Sequence, residues 1–145
     1  MPVTFYCHNI RFSLRNKKTI SEWIINVIRA EKKQVSDITY IFCDDDYLSK
    51  LNLRYLRHKS LTDIITFSYS MKPGSKQPAS ALSGDIFISI PRVKENAAKY
   101  KISFKEQLHR VMIHGVLHLA DYSDKTVALK KKMREKESHY LTMLK

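Results

Sequence analysis

The sequence has few of the residues that mark secreted, disordered or membrane-spanning chains. It contains only two cysteines, Cys7 and Cys43, which form no CxxC pair and therefore no disulfide framework. We expect both thiols to lie in strand cores, and they suit a reducing compartment. Three glycines and four prolines are too few for a loop-dominated or disordered chain. No stretch approaches the roughly 18 consecutive apolar residues that a membrane span requires.

The beginning of the sequence also lacks a basic segment followed by an apolar run. This predicts no secretory signal and no membrane association, and it favours a cytoplasmic location. A length of 145 residues predicts a single domain over residues 1–145 with its own hydrophobic core.

The chain has a large excess of positive charge. Its formal net charge is +12 at pH 7, and its isoelectric point is near 9.7. The excess lies in residues 1–35, 91–110 and 125–145, whereas residues 36–90 are neutral. Such a balance favours a polyanionic partner, because basic side chains that neutralise phosphates release counterions. The alternative is that the basic residues solvate helix faces, and we expect this mainly of Lys130–Lys132, Arg134 and Lys136.

Hydrophobic periodicity predicts alternating strands and helices. Asp44 and Ser103 are suited to cap helices, and Pro91 suits a first helical turn. The order of elements indicates an α+β fold, with a mixed sheet of about four strands packed with about five helices. A strand or strand pair is predicted at 4–12, and strands at 38–43, 64–69 and 85–90. Helices are predicted at 16–33, after Asp44, at 91–100, 104–119 and 125–144, and a loop at 71–83.

The predicted helix 104–119, near the C-terminus, carries the strongest functional signal. It is apolar nearly all round, which indicates a buried helix. His114 and His118 share its one narrow polar arc and lie a helical turn apart, the separation that one cation needs. Asp124 follows the helix end, where the chain can fold back. The pattern predicts a site for one divalent ion, with three ligands and an open position typical of catalytic sites.

The two histidines also have explanations that involve no metal ion. A buried histidine is often a hydrogen-bonded core residue, and two of six histidines can share a helix face by chance. Gly115 stands where the zinc peptidase motif His-Glu-x-x-His has its general base, so a peptidase mechanism of that type is not expected. A glycine inside a helix costs about 1 kcal/mol relative to alanine, which indicates close approach of another element or of a substrate backbone.

The segment from His114 to Leu119, followed by Tyr122, resembles the signature of the YbeY family, metal-dependent bacterial endoribonucleases of rRNA maturation. That signature is His-Gly-x-Leu-His-Leu-x-Gly-Tyr-Asp-His. Residues 51–55 with 61–67 resemble the family's Leu-Asn…Tyr-Arg…Thr-Asp-Val-Leu-Ser-Phe segment, and Gly84-Asp85-Ile86 matches its Gly-Asp-Ile strand. The three matches occur in the family's order over about half of the chain.

The resemblance implies the roles of individual residues. His114, His118 and Asp124 would hold one divalent metal ion, which the resemblance implies to be zinc, and His114 would also be catalytic. Asp124 stands where the family usually has histidine, and carboxylate oxygen is also a zinc ligand. Arg57 would stabilise charge in the transition state, although Leu56 is the residue aligned with the family's arginine. Arg54, Arg57 and Lys59 would contact RNA, unless they form only a solvated helix end.

The implied function is a metal-dependent, single-strand-specific endoribonuclease that acts on ribosomal RNA. Its expected role is maturation of the 16S 3′ end and ribosome quality control, with rRNA and the ribosome as partners. One alternative is a non-catalytic RNA- or ribosome-binding assembly factor whose metal is structural. Another is a hydrolase of a different substrate that keeps the metal-binding helix.

Overall fold

The computed structural model describes residues 2–56, 62–69 and 81–144. Within these ranges the chain forms a mixed four-stranded sheet of order β1-β2-β4-β3. Strands β1 and β4 run parallel to β2, and β3 runs antiparallel to β4. The strands are β1 (Val3–Cys7), β2 (Gln34–Cys43), β3 (Ile64–Ser68) and β4 (Ala81–Ser89).

Five α-helices in the described residues pack with this sheet, which confirms the predicted α+β fold. Asp44 and Ser103 cap their helices as predicted, since their side chains accept hydrogen bonds from the backbone N–H groups of Tyr47 and Glu106. A π-helical turn, Asn52–Leu56, follows the second helix. The helices are α1 (Lys17–Ala30), α2 (Asp45–Leu51), α3 (Ile90–Tyr100), α4 (Phe104–Leu119) and α5 (Val127–Thr142).

Strand β4 begins earlier than the sequence predicted. Ala81 and Leu82 pair with the first residues of β2 and are 5% and 2% exposed, so the predicted loop 71–83 was wrong for its last three residues, 81–83. The polar Ser83 and the flexible Gly84 interrupt the apolar pattern and so conceal this part of the strand. Ile90 belongs to α3 because the Ser89 hydroxyl caps that helix. The rest of the predicted loop, residues 71–80, lies outside the described residues.

Helix α4 lies against the sheet and forms much of the core. Its Gly115 faces the sheet so closely that a Cβ there would be 2.9 Å from both Ile64 Cδ1 and Ile86 Cγ2. The predicted close approach of another element is therefore confirmed, and that element is the pair β3 and β4. On the same helix, the Met112 carbonyl accepts a 2.9 Å hydrogen bond from the buried Tyr40 hydroxyl. These contacts fix the rotation of α4 and hence the direction of its polar arc.

The two cysteines lie in different environments. Cys43 is buried as predicted, but the prediction was wrong for Cys7, which is exposed at the end of the edge strand β1. Its thiol donates a hydrogen bond to the Phe12 carbonyl, 3.0 Å away.

No helix among the described residues combines the length and apolar character needed to cross a bilayer.

Candidate metal centre

The residues after α4 turn the chain back toward its histidines. Asp121 adopts a left-handed conformation with φ 72°, which aspartate tolerates better than most residues. The backbone N–H of Tyr122 bonds to the Leu117 carbonyl at 3.0 Å, and this closes the helix end. Asp124 is thereby brought next to His114 and His118.

Three predicted ligand atoms converge at this point. Asp124 Oδ2 lies 3.4 Å from His114 Nε2 and 3.4 Å from His118 Nε2, and the two Nε2 atoms are 2.9 Å apart. Atoms bound tetrahedrally to zinc at about 2.0–2.1 Å lie roughly 3.3–3.4 Å from one another. The two imidazoles and the carboxylate therefore fit a single divalent ion. The two Nε2 atoms would need to move apart by only a few tenths of an ångström.

A buried glutamate from α5 orients the first histidine. Glu137 is 5% exposed, and its Oε2 accepts a 2.6 Å hydrogen bond from His114 Nδ1. The other oxygen of Glu137 accepts a 3.2 Å bond from Arg110, which also donates to Ser138 Oγ. With its Nδ1 proton held by Glu137, His114 directs Nε2 at the site. A carboxylate that fixes the tautomer of a ligating histidine also raises its basicity.

The two histidines differ in proton affinity. Burial lowers the pKa of His114, but the hydrogen bond and charge of Glu137, with the charges of Asp124 and Asp63, raise it overall. Burial and the neighbouring His114 lower the pKa of His118, despite the opposite effect of Asp124. His118 therefore presents a neutral imidazole at neutral pH, which is the form that binds a cation.

A second carboxylate, Asp63, lies beside the ligands without being one of them. It lines a cavity of about 310 Å³ together with His114, His118 and Asp124. Burial raises the pKa of Asp63, although His114 and a hydrogen bond with Asn96 act in the opposite direction. A carboxyl with a raised pKa next to a metal centre is suited to proton transfer.

A further buried network positions the loop that carries Asp124. The Glu31 carboxylate, at the end of α1, accepts hydrogen bonds from the hydroxyls of Tyr122 and Tyr140. It also accepts a 2.9 Å bond from Lys136 Nζ. Tyr122 lies two residues before Asp124, and its backbone forms a hydrogen bond with His118. Glu31 therefore ties α1, α5 and the ligand loop together.

Replacing Glu31 with glutamine should destabilise the protein by about 2 kcal/mol at pH 7, since a buried hydrogen-bonded charge is lost. Burial raises the pKa of Glu31, but its three hydrogen bonds lower it below the usual 4.5 overall. A carboxyl with a lowered folded-state pKa stabilises the protein above about pH 4.5, and this contribution is lost as the pH falls through the folded pKa. Urea unfolding at pH 7 and pH 3.5 measures this difference.

The exposed Glu22 on the same helix offers a matched control, because Glu22→Gln should change the free energy of unfolding by under about 0.5 kcal/mol. A Glu31→Gln effect as large at pH 3.5 as at pH 7 would contradict the electrostatic account of this network.

Of the three predicted RNA-contacting residues, Arg54 lies within the described ranges, and it is not brought together with the ligands. Arg54 is exposed after α2, with its guanidinium carbon 5.4 Å from the centre of the Tyr55 ring, and it lines neither cavity at the metal centre. Arg57 and Lys59 lie outside the described residues, so their roles stay predictions.

Glu137, Asp63 and Glu31 were missed by the sequence analysis. A signal for Glu137 was present, because Met133, Glu137 and Tyr140 follow helical spacing and form the buried face of α5. An acidic residue on the buried face of a helix needs a hydrogen-bond donor, and the predicted histidines could supply one. Asp63 gave no comparable signal, since it stands in a connection. Glu31 falls at the end of the predicted helix 16–33, where a charged residue is ordinary.

Fold and site together define a small α+β protein with a candidate metal centre of two histidines and one carboxylate. The profile of the Endoribonuclease YbeY family matches residues 5–145. Endoribonuclease YbeY of Amoebophilus asiaticus is 45% identical over 139 residues, covering 96% of this chain and 90% of that protein. Its counterpart in Flavobacterium psychrophilum is 45% identical over 136 residues, covering 94% and 92%. The chain belongs to the Endoribonuclease YbeY family, and the resemblance stated above is confirmed.

A solved structure supports the fold. The chain matches a Thermotoga maritima protein, whose structure was determined in solution, with a TM-score of 0.61 and 23% identity. The match covers 98% of this chain and 88% of that one. At this identity the likeness concerns the fold alone.

Proposed function

We propose that this protein is a metal-dependent endoribonuclease that cleaves single-stranded regions of ribosomal RNA. The observation that carries the proposal is the convergence of three ligand atoms, within 4.8 Å of one another, beside a cavity in a member of an endoribonuclease family. Two imidazoles and one carboxylate are a ligand set that zinc accepts. Three protein ligands leave a coordination position for substrate or water, whereas structural zinc sites are closed by four.

Each residue of the centre has a defined task in this proposal. His114, His118 and Asp124 hold the ion, and Glu137 keeps His114 in the ligating tautomer. A bound divalent ion supplies Lewis acidity toward a phosphoryl oxygen and toward an attacking hydroxyl or water. Asp63 is placed to take up or return a proton, because it lines the same cavity. Arg57, as predicted from the sequence, would stabilise charge on the phosphate.

Ribosomal RNA as substrate is supported by family membership and by charge. A net charge of +12 favours a phosphate-rich partner. The expected activity is maturation of the 16S 3′ end with a role in ribosome quality control, on the ribosome in the cytoplasm. A purely structural metal would favour a non-catalytic assembly factor instead.

Removal of the metal separates these possibilities. Chelation should abolish cleavage of an end-labelled single strand with the 16S 3′ sequence, leave the far-ultraviolet circular dichroism unchanged, and lower the melting temperature modestly. One equivalent of zinc or manganese should restore cleavage. Unfolding on chelation would favour the assembly factor, and undiminished cleavage by metal-free protein would contradict the proposal.

A further inference from the structure

A groove crosses the metal centre and continues well beyond it. The 310 Å³ cavity at the ligands shares His114, Asp124, Asp63 and Ile64 with a larger cavity of about 580 Å³. The larger cavity runs between α3, α4 and α5. The metal centre therefore lies at the junction of two cavities rather than at the bottom of one, as a site for an extended substrate requires.

The larger cavity is bordered by three cations of α5. Lys130, Lys131 and Arg134 line it, all three are exposed, and none pairs with an acidic side chain of the described ranges. The sequence indicated mainly a solvated helix face for these residues. The structure instead places them along the wall of the groove that leads to His114. Lys130 and Arg134 are four residues apart, so they extend from neighbouring turns of one helix face.

Helix α3 adds an aromatic ring to the groove, and part of the lining is apolar. Tyr100, at the end of α3, lines the groove and is 53% exposed, and Lys99 Nζ lies 5.9 Å from its ring centre. Val111 and Met133 form the apolar part of the lining. A row of cations with an exposed ring in one groove is the combination by which proteins bind single-stranded nucleic acid, since cations contact phosphates and rings stack on bases.

We propose that this groove, which we name the α5 groove, binds the RNA segment next to the phosphate held at the metal centre. Lys130, Lys131 and Arg134 contact its phosphates, and Tyr100 stacks on one of its bases. The inference rests on the proposed function and adds a substrate subsite to it. The α5 groove gives the enzyme a preference for unpaired RNA, because a base within a duplex cannot stack on the Tyr100 ring.

Charge removal tests the phosphate contacts. The variant Lys130→Gln/Lys131→Gln/Arg134→Gln removes the three groove cations. Lys17→Gln/Lys18→Gln/Arg29→Gln, on α1, removes three exposed cations that line neither cavity. Binding of a fluorescent 2′-O-methylated 12-mer to the metal-loaded protein is measured by anisotropy between 50 and 300 mM salt, with oligonucleotide integrity checked on a gel.

We expect the groove variant to lower the slope of log K against log salt by about 2, since each phosphate contact on a single strand contributes about 0.7. The α1 control should keep most of the wild-type slope. An unchanged slope in the groove variant, while wild type cleaves RNA, overturns the α5 groove and leaves the nuclease standing. A lowered slope in a protein that never cleaves RNA supports the groove and refutes the nuclease.

The aromatic contact has its own test. Tyr100→Ala should weaken binding of the 12-mer roughly tenfold or more without changing the salt slope, because stacking is not an electrostatic contact. Tyr100→Phe keeps the ring and should bind like wild type. Equal affinity of the alanine variant and wild type overturns the stacking role. Competition by polyglutamate as effective as that by RNA would overturn the RNA assignment in favour of an acidic protein.

Discussion

Replacing His114 with alanine is expected to leave a folded protein that has lost both tight metal binding and RNA cleavage. His114 supplies one of three ligand atoms, and its neighbour Glu137 keeps Arg110 as a partner after the substitution. Losing the ion removes several kcal/mol of transition-state stabilisation, so cleavage should fall about a thousandfold or more. Metal content by mass spectrometry and initial cleavage rates measure the two effects on one preparation.

His139 provides the matched control for this substitution. It is exposed on α5 and is not a ligand, so His139→Ala should keep the wild-type metal content and cleavage rate. A His114→Ala protein that cleaves at the wild-type rate would show that the activity does not depend on this centre. A His114→Ala protein that fails to fold would make the metal structural and favour the assembly factor.

The second large effect is expected at Glu137. Glu137→Gln exchanges the carboxylate that accepts from His114 Nδ1 for a neutral amide, and so removes the charge that raises the basicity of this ligand. Loss of such a partner typically lowers metal affinity by 10–100-fold. Competition between the protein and a chromogenic chelator gives the affinity directly.

Glu135→Gln tests whether this effect is specific, because Glu135 lies two residues away on the exposed face of α5. Its metal affinity should equal that of wild type. Equal losses in both variants would mean that the overall charge of α5, rather than the hydrogen bond to His114, controls the affinity.

The sequence predicted the helix of the metal centre and its ligands because their signals are local. A helical period, a capping serine at Ser103 and two histidines four residues apart all lie within one element. Asp124 required only a short turn back, and Asp121 supplies it with a left-handed backbone conformation. Local geometry was therefore enough to bring these three side chains to one point.

The supporting residues could not be found in the same way, because they come from distant parts of the chain. Glu137 reaches His114 across 23 residues, and Glu31 reaches Tyr122 across 91. Only the packing of α1, α4 and α5 brings them together. The α5 groove depends on the same packing, which is why Lys130 appeared from the sequence to belong to a solvated face. The three ligands could therefore be predicted from the sequence, whereas the residues that surround them depend on long-range packing and could not.

Anomalous diffraction from crystals of the protein soaked in zinc tests the central claim most directly. One strong peak is predicted at about 2.0–2.2 Å from His114 Nε2, His118 Nε2 and a carboxylate oxygen of Asp124. A peak held by other side chains, or no peak at this position at saturating zinc, would contradict the metal centre described here.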